Sequence, residues 1–269
     1  MSAPTSTFLA SDADSYDQIM GRWSRRLATR FLDFVGVTDG AVLDVGCGTG
    51  SLTAALLERP GVRSVHGIDV SSAYVTAAQK RLANSRAAFD VGDACAITAS
   101  DRSFDHALSL LVLQFVPQAE RAIAEMRRVT RQGGSVAAAT WDQRGGVVWS
   151  RMFWDTAAAL DPKAVELRAK ASTRPLSLPD QLASAWTSAG LTDVVQSEVA
   201  IRMEYRAFDD YWAPLEGKDG PYTQYIRALA PDAYAILREK VRLAYIDGNA
   251  DGPRSYVSMA QVVKGVVPR

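Results

Sequence analysis

The feature that most constrains this chain is the run Val42-Leu43-Asp44-Val45-Gly46-Cys47-Gly48-Thr49-Gly50. An apolar stretch ends in three alternating glycines and passes straight into the helical spacing of Leu52, Leu56 and Leu57. Glycine tolerates the left-handed backbone of a tight turn, and its bare backbone lets a ligand approach the amides at the next helix N-terminus. The turn therefore predicts an open α/β sheet with a ligand at the carboxyl end of its first strand. The glycines alone leave the ligand open. A dinucleotide fingerprint spaced G-x-G-x-x-G needs glycine at position 51, which is Ser51.

The rhythm around the turn supports that fold. Short apolar runs at 41–45, 64–68, 87–91, 105–111 and 134–140 predict strands, separated by amphipathic stretches such as Ala119, Ile123, Met126 and Val129. Ahead of them Tyr16 to Val35 reads as helix broken near Gly21, with Leu27, Phe31 and Phe34 on one face. Beyond residue 141 longer helices are expected at Trp149–Leu160, at Pro179–Ala189 closed by Gly190, and at Asp232–Tyr245. Two late strands are expected near 194–202 and 255–266. The expected fold is α/β and Rossmann-like: a seven-stranded, mostly parallel sheet with helices on both faces and a helical cap over the carboxyl ends of the strands. Residues 1–269 form one domain, with a cofactor-binding core at about 36–141 plus the late strands. The cap and substrate region covers about 142–178 and 206–252.

Three strand ends narrow the ligand. Asp44 lies two residues before the first glycine, where a carboxylate orients the loop or meets an ammonium group. Asp69, closing Gly67-Ile68-Asp69, is placed to accept both hydroxyls of a ribose. Gly92-Asp93-Ala94 offers a carboxylate and adjacent amides suited to the amine and ring nitrogen of adenine. Either acid alone also suits a helix N-cap, but their joint placement outlines an adenosyl amino acid.

With these residues in hand, the sequence resembles the class I S-adenosylmethionine-dependent methyltransferases, in the subgroup related to ubiquinone and menaquinone biosynthesis (methyltransferase type 11). The matching motifs cover residues 16 to 142, about half of the chain. The resemblance implies S-adenosyl-L-methionine as cofactor. It places Asp44, Gly46, Gly48 and Gly50 around the methionine part, Asp69 at the ribose, Tyr74 beside the adenosine, and Asp93 and Ala94 at the adenine, with Val70 also among the cofactor-binding residues. Ser103-Phe104-Asp105, continuing to Leu110 and Gln114, matches the family's fourth strand and following loop. Tyr16-Asp17-Gln18-Ile19-Met20-Gly21-Arg22-Trp23 is similar to an N-terminal helix that closes over the cofactor, which brings Tyr16, Met20 and Arg22 to the methionine end. Gln114 stands where many relatives carry histidine, and the residues beyond 142 match no quinone-enzyme pattern, so the resemblance carries the cofactor and leaves the acceptor open.

Composition sets the remaining bounds. Thirty Lys plus Arg balance thirty Asp plus Glu, which leaves no overall positive field for a phosphate backbone. The fourth-strand end also lacks the segment of amino-methylating DNA enzymes, so no nucleic acid partner is expected. Cys47 and Cys95 are the only cysteines and His66 and His106 the only histidines, too few for a disulfide framework or a clustered metal site. Cys47 is read as a space-filling thiol, both histidines as structural, and the metal expectation is none. Met1 to Asp14 is unlike a secretory leader and no apolar run approaches about 18 residues, so a cytoplasmic chain without a membrane partner is expected. The oligomeric state is left open.

Residues after 140 hold five of the six tryptophans and seven of the nine tyrosines. Such a cap either packs on itself or walls a pocket for an apolar or aromatic small-molecule acceptor; the pocket candidates are Trp141, Tyr211 and Trp212. No catalytic residue set is required, because in-line transfer from a sulfonium gains most from alignment and water exclusion. Asp142 is the candidate base for an acceptor that must lose a proton. Two other readings stand beside methyl transfer: a non-catalytic adenosyl-binding protein, and a nucleotide-dependent oxidoreductase.

Overall fold

The computed structural model describes residues 6–7, 12–178, 180–218 and 220–269. Most of the segment Met1 to Asp14 and the Pro179 start of the expected helix lie outside the described residues. Seven strands form one sheet: β1 (Asp39–Val45), β2 (Gly61–Asp69), β3 (Ala87–Val91), β4 (Phe104–Leu110), β5 (Thr130–Trp141), β6 (Thr192–Tyr205) and β7 (Arg254–Val266). Their order is β3-β2-β1-β4-β5-β7-β6. The first five pair in parallel, and β7 runs antiparallel between β5 and β6. Strand order reverses direction at β1 and β4, and a crevice opens beyond the carboxyl ends at such a switch point. The five parallel strands expected from their apolar runs are all present, as are the two late ones.

Helices cover both faces because their apolar stripes need a partner. On one face α2 (Arg22–Val35) and α3 (Ser51–Leu57) bury Leu27, Phe31, Leu52 and Leu56 against Val42 and Val65. On the other, α5 (Ala119–Val129) buries Ile123, Met126 and Val129 beside Leu182 and Trp186 of α8 (Gln181–Ser188). Each fully buried Leu or Phe of these stripes contributes about 1.5–3 kcal/mol. The helix α4 (Ser72–Arg81) packs on β2 and β3 through Val75 and Ala78.

The break expected near Gly21 has a specific form. A short helix α1 (Ala13–Tyr16) widens into a π-helical turn over Asp17–Gly21 before α2 begins. A Cβ at position 21 would lie 2.6 Å from Asp17 Oδ1, so a larger residue there would push the Asp17 side chain aside. The cap consists of α6 (Val148–Leu160), α7 (Pro162–Ser172), α9 (Phe208–Trp212), α10 (Pro221–Arg227) and α11 (Pro231–Ile246). Among the described residues no helix is long and apolar enough to cross a membrane.

Candidate active site

The glycine turn is built by the sheet beneath it. The amides of Gly46 and Cys47 both donate to the Ile68 carbonyl, at 2.8 and 2.9 Å, which ties the end of β1 to the end of β2. Gly46, Gly48 and Gly50 all adopt left-handed backbone, with φ of 73°, 53° and 88°. At Gly46 a Cβ would lie 2.4 Å from Val112, so the turn passes too close to the β4 loop for any side chain. Nothing lies within 4 Å of the corresponding position at Gly48, which faces open space.

Three carboxylates meet this turn. Asp69 Oδ2 accepts from the Gly48 amide at 3.0 Å and Oδ1 from the Ser71 amide at 2.9 Å, so it holds the loop as well as facing the cavity. Asp44 is fully buried; Oδ2 accepts from Thr53 Oγ1 at 2.7 Å, while Oδ1 has no partner among the described residues. Burial, reinforced by the neighbouring Asp69 charge, pushes the Asp44 carboxyl up to about 7. Asp93 accepts from the Cys95 amide through Oδ1 at 2.8 Å. Burial also raises the Cys47 thiol well above its ordinary range, which keeps it protonated and unreactive, as expected for a space-filling residue.

One cavity of about 570 Å³ joins these strand ends. Of the residues expected at the cofactor, Tyr16, Met20, Asp44, Gly46, Gly48, Asp69, Val70, Tyr74, Asp93, Ala94, Leu110 and Gln114 line it. The rings of Tyr16 and Tyr74 meet with centroids 5.2 Å apart. Gln114 is buried and its Oε1 accepts from the Trp141 amide at 3.1 Å, which braces the β4 loop against the end of β5. Gly50 is not part of the lining; it caps the start of α3 and approaches Leu82.

Arg22 corrects an expectation. Its guanidinium turns away from the cavity to pair with Asp210 at 3.1 Å and lies over the Trp23 ring at 4.2 Å. A partner 188 residues distant is set by tertiary packing and has no local signature in the sequence. What fastens the N-terminal segment to the glycine turn is a group the sequence did not single out. Thr49 Oγ1 donates to Asp17 Oδ1 at 2.7 Å, and Arg81 donates to the Thr49 carbonyl at 2.9 Å and pairs with Asp17.

The far end of the cavity has aromatic walls. Trp141 lines it as expected, together with Trp149, Trp154 and Tyr222; the Tyr222 ring packs against both tryptophans, with centroids 5.5 Å from Trp149 and 5.3 Å from Trp154. Tyr222 and Ser150 share a hydrogen bond of 2.6 Å between their hydroxyls. Tyr211 and Trp212 correct the other pocket candidates. Both are about 1% exposed, packed among Phe153, Phe208 and Tyr245 inside the cap, and the Tyr211 hydroxyl donates to the Trp149 carbonyl at 2.8 Å. They support the wall from behind. Asp142 is not in the lining either: its Oδ1 accepts from the amides of Arg144 and Gly145 at 3.0 and 3.1 Å, closing the turn after β5. Among the described lining residues, no carboxylate or imidazole stands at the aromatic end.

Comparison with known proteins gives this cavity a family. Residues 42–134 match the family described as a methyltransferase domain. Over 172 residues the chain is 33% identical to a demethylmenaquinone methyltransferase of Roseiflexus castenholzii, which takes in 60% of this chain and 72% of that one. The chain belongs to the class I S-adenosylmethionine-dependent methyltransferases. It is also 33% identical to the malonyl-[acyl-carrier protein] O-methyltransferase of Halorhodospira halophila over 135 residues, but there it spans only 45% of the relative's length. Phosphoethanolamine N-methyltransferase 2 of Haemonchus contortus, solved with S-adenosyl-L-methionine, shares the fold with a TM-score of 0.59 at 18% identity, covering 96% of this chain and 57% of that one. For this methyltransferase the oxidoreductase reading falls away, and S-adenosyl-L-methionine is its cofactor. The family match stops at residue 134, before any of the aromatic wall.

Proposed function

We propose that this methyltransferase transfers the methyl group to a small apolar or aromatic molecule seated against Trp141, Trp149, Trp154 and Tyr222. The supporting observation is the continuity of the cavity: the carboxylate-lined turn and the aromatic wall bound the same 570 Å³ space. That volume lies within the roughly 300–1,000 Å³ typical of ligand sites.

The residues at the turn suit the cofactor. A buried carboxylate oxygen with no partner, Asp44 Oδ1, stands beside glycines that leave the backbone bare. It would take the ammonium of the methionine part, directly or through water. Asp69 would take the ribose hydroxyls, and Asp93 with Ala94 the adenine edge, while Tyr74 and Tyr16 would cover the adenosine. Met20, Leu110, Val70 and Gln114 would fill the space between. When bound, S-adenosylmethionine supplies an electrophilic methyl on a sulfonium.

The chain's own contribution is positioning. Apolar rings exclude water from the acceptor end, and the Asp17–Thr49–Arg81 group holds the N-terminal segment over the turn. Burial raises the Tyr222 phenol above its ordinary range, so at neutral pH its hydroxyl orients rather than deprotonates. With no carboxylate or imidazole at that end among the described residues, catalysis on this reading rests on alignment, and a proton released by the acceptor leaves by way of water. The test is a screen of phenols, amines and apolar acids for S-adenosylhomocysteine formation. Turnover confined to ring-bearing or apolar acceptors is expected. Tight cofactor binding with no turnover on any of them would favour an adenosyl-binding protein instead.

A further inference from the structure

The charged residues that line the cavity are divided between its ends. Asp44, Asp69 and Asp93 stand at the carboxyl ends of β1, β2 and β3, while the only cations in the lining among the described residues, Lys170 and Arg174, stand on α7 and the loop after it. On the proposed reading each carboxylate serves the cofactor, and neither cation stands at a strand end.

Arg174 is the informative one. Its guanidinium is half-buried, lies over the Phe115 ring at 4.5 Å and faces Tyr222, yet among the described residues it forms no hydrogen bond or ion pair. Every other cavity-facing charge with a comparable degree of burial is anchored by hydrogen bonds. Burial without a counter-charge also disfavours its charged form, lowering its proton affinity. A guanidinium presents five donors in a planar fork suited to two oxygens of an anion, and leaving such a group partly desolvated and unpaired is costly. The loop is fixed in place, because Thr140 Oγ1 donates to the Leu176 carbonyl at 2.8 Å, which ties it to the end of β5. Lys170, exposed at the rim and likewise without an ion pair among the described residues, adds a second positive charge on the same side.

We propose that the methyl acceptor carries an anionic oxygen group, a carboxylate or a phosphate, and that Arg174 binds it at the end of the cavity opposite the glycine turn. The inference deepens the reading that the aromatic end holds the acceptor and rests on it. Arg174 is on this view a specificity-determining residue: it selects the charged acceptor and fixes its direction, with the ring or apolar body against Trp154 and Tyr222.

The test uses the full chain saturated with S-adenosylhomocysteine, titrated by calorimetry with matched probes. These are 4-hydroxybenzoate against 4-hydroxybenzamide, and phenyl phosphate against phenol. Wild type is expected to bind at least one anionic probe about tenfold or more tightly than its neutral counterpart, with the preference weakening as salt rises. Whether the benzoate or the phosphate shows the larger preference identifies the anion. Arg174→Gln should abolish the preference and Arg174→Lys should retain part of it, with the S-adenosylhomocysteine affinity of both unchanged, which also shows that both are folded. Equal binding of charged and neutral probes overturns the inference alone. A preference that survives in Arg174→Gln overturns it as well, and so does a loss of S-adenosylhomocysteine affinity, which would assign the arginine to the cofactor carboxylate. Binding of neither member of either pair overturns the acceptor-end reading and the inference with it.

Discussion

Replacing Asp44 with asparagine separates what this side chain costs the fold from what it gives the cofactor. The carboxyl is fully buried, one oxygen has no partner, and its proton affinity is raised from 3.8 to about 7. At about 1.4 kcal/mol for each tenfold change in proton affinity, that rise corresponds to roughly 4 kcal/mol as an upper bound. The sign follows from which state holds the proton. Below pH 3.8 both folded and unfolded chains are protonated at Asp44. Between there and about 7 the folded chain keeps a proton that the unfolded chain releases, so stability declines as pH rises through this window and levels off above it. Asparagine keeps the shape and the bond to Thr53 but cannot ionise. Denaturant melts of the cofactor-free protein should therefore show the variant gaining on wild type from pH 5 to pH 8, by about 2–4 kcal/mol. In the same variant the affinity for S-adenosylhomocysteine should drop about tenfold to a hundredfold, the value of a charge-assisted contact of roughly 1.5–3 kcal/mol. Wild type should release a proton on binding near pH 6, seen as a dependence of the binding heat on buffer ionisation enthalpy. Parallel pH profiles for the two proteins together with equal cofactor affinity would refute the reasoning.

Other substitutions probe the rest of the site. Asp142→Asn should leave turnover within about threefold of wild type, because the carboxylate closes a turn; a loss near a thousandfold would mark it as a base after all. Asp17→Asn removes the charge from the clamp with Arg81, and stopped-flow measurement should show S-adenosylhomocysteine leaving about tenfold faster, since the pair is partly shielded from solvent. Gly46→Ala sets a methyl against Val112 in a left-handed backbone, so cofactor binding should vanish and thermal unfolding should show a loss of about 1–3 kcal/mol. Tyr222→Phe deletes the hydroxyl bonded to Ser150. Steady-state kinetics should show a higher acceptor KM with little change in cofactor affinity, and stability should fall by about 1 kcal/mol.

The legibility of the site in the sequence follows from the range of the interactions that build it. Asp44, Asp69 and Asp93 were readable because each sits at a fixed offset from the end of an apolar strand, and parallel strands deliver their carboxyl ends to one edge. Trp141 was readable for the same reason, as the last residue of β5. Tyr211 and Trp212 were not, since which face of a cap helix turns inward is decided by packing among α6, α9 and α11, whose aromatic content makes several faces equally suitable; Arg22 was not, since its partner Asp210 lies 188 residues away. Ser150 and Tyr222 meet across 72 residues, and Arg174 sits on a loop with no periodicity to betray it. Asp142 misled because its place just past β5 fits both a catalytic carboxylate and a turn-closing one; only the amides of Arg144 and Gly145 decide between them.

The most direct measurement is a crystal structure of the chain with S-adenosylhomocysteine. The expected result puts the adenine beside Asp93 and Ala94, the ribose on Asp69 and the ammonium near Asp44, with the sulfur facing a vacant space bounded by Trp154, Tyr222 and Arg174. A sulfur turned to bulk solvent, or an adenosine lying against the aromatic wall, would contradict the division of the cavity into a cofactor end and an acceptor end.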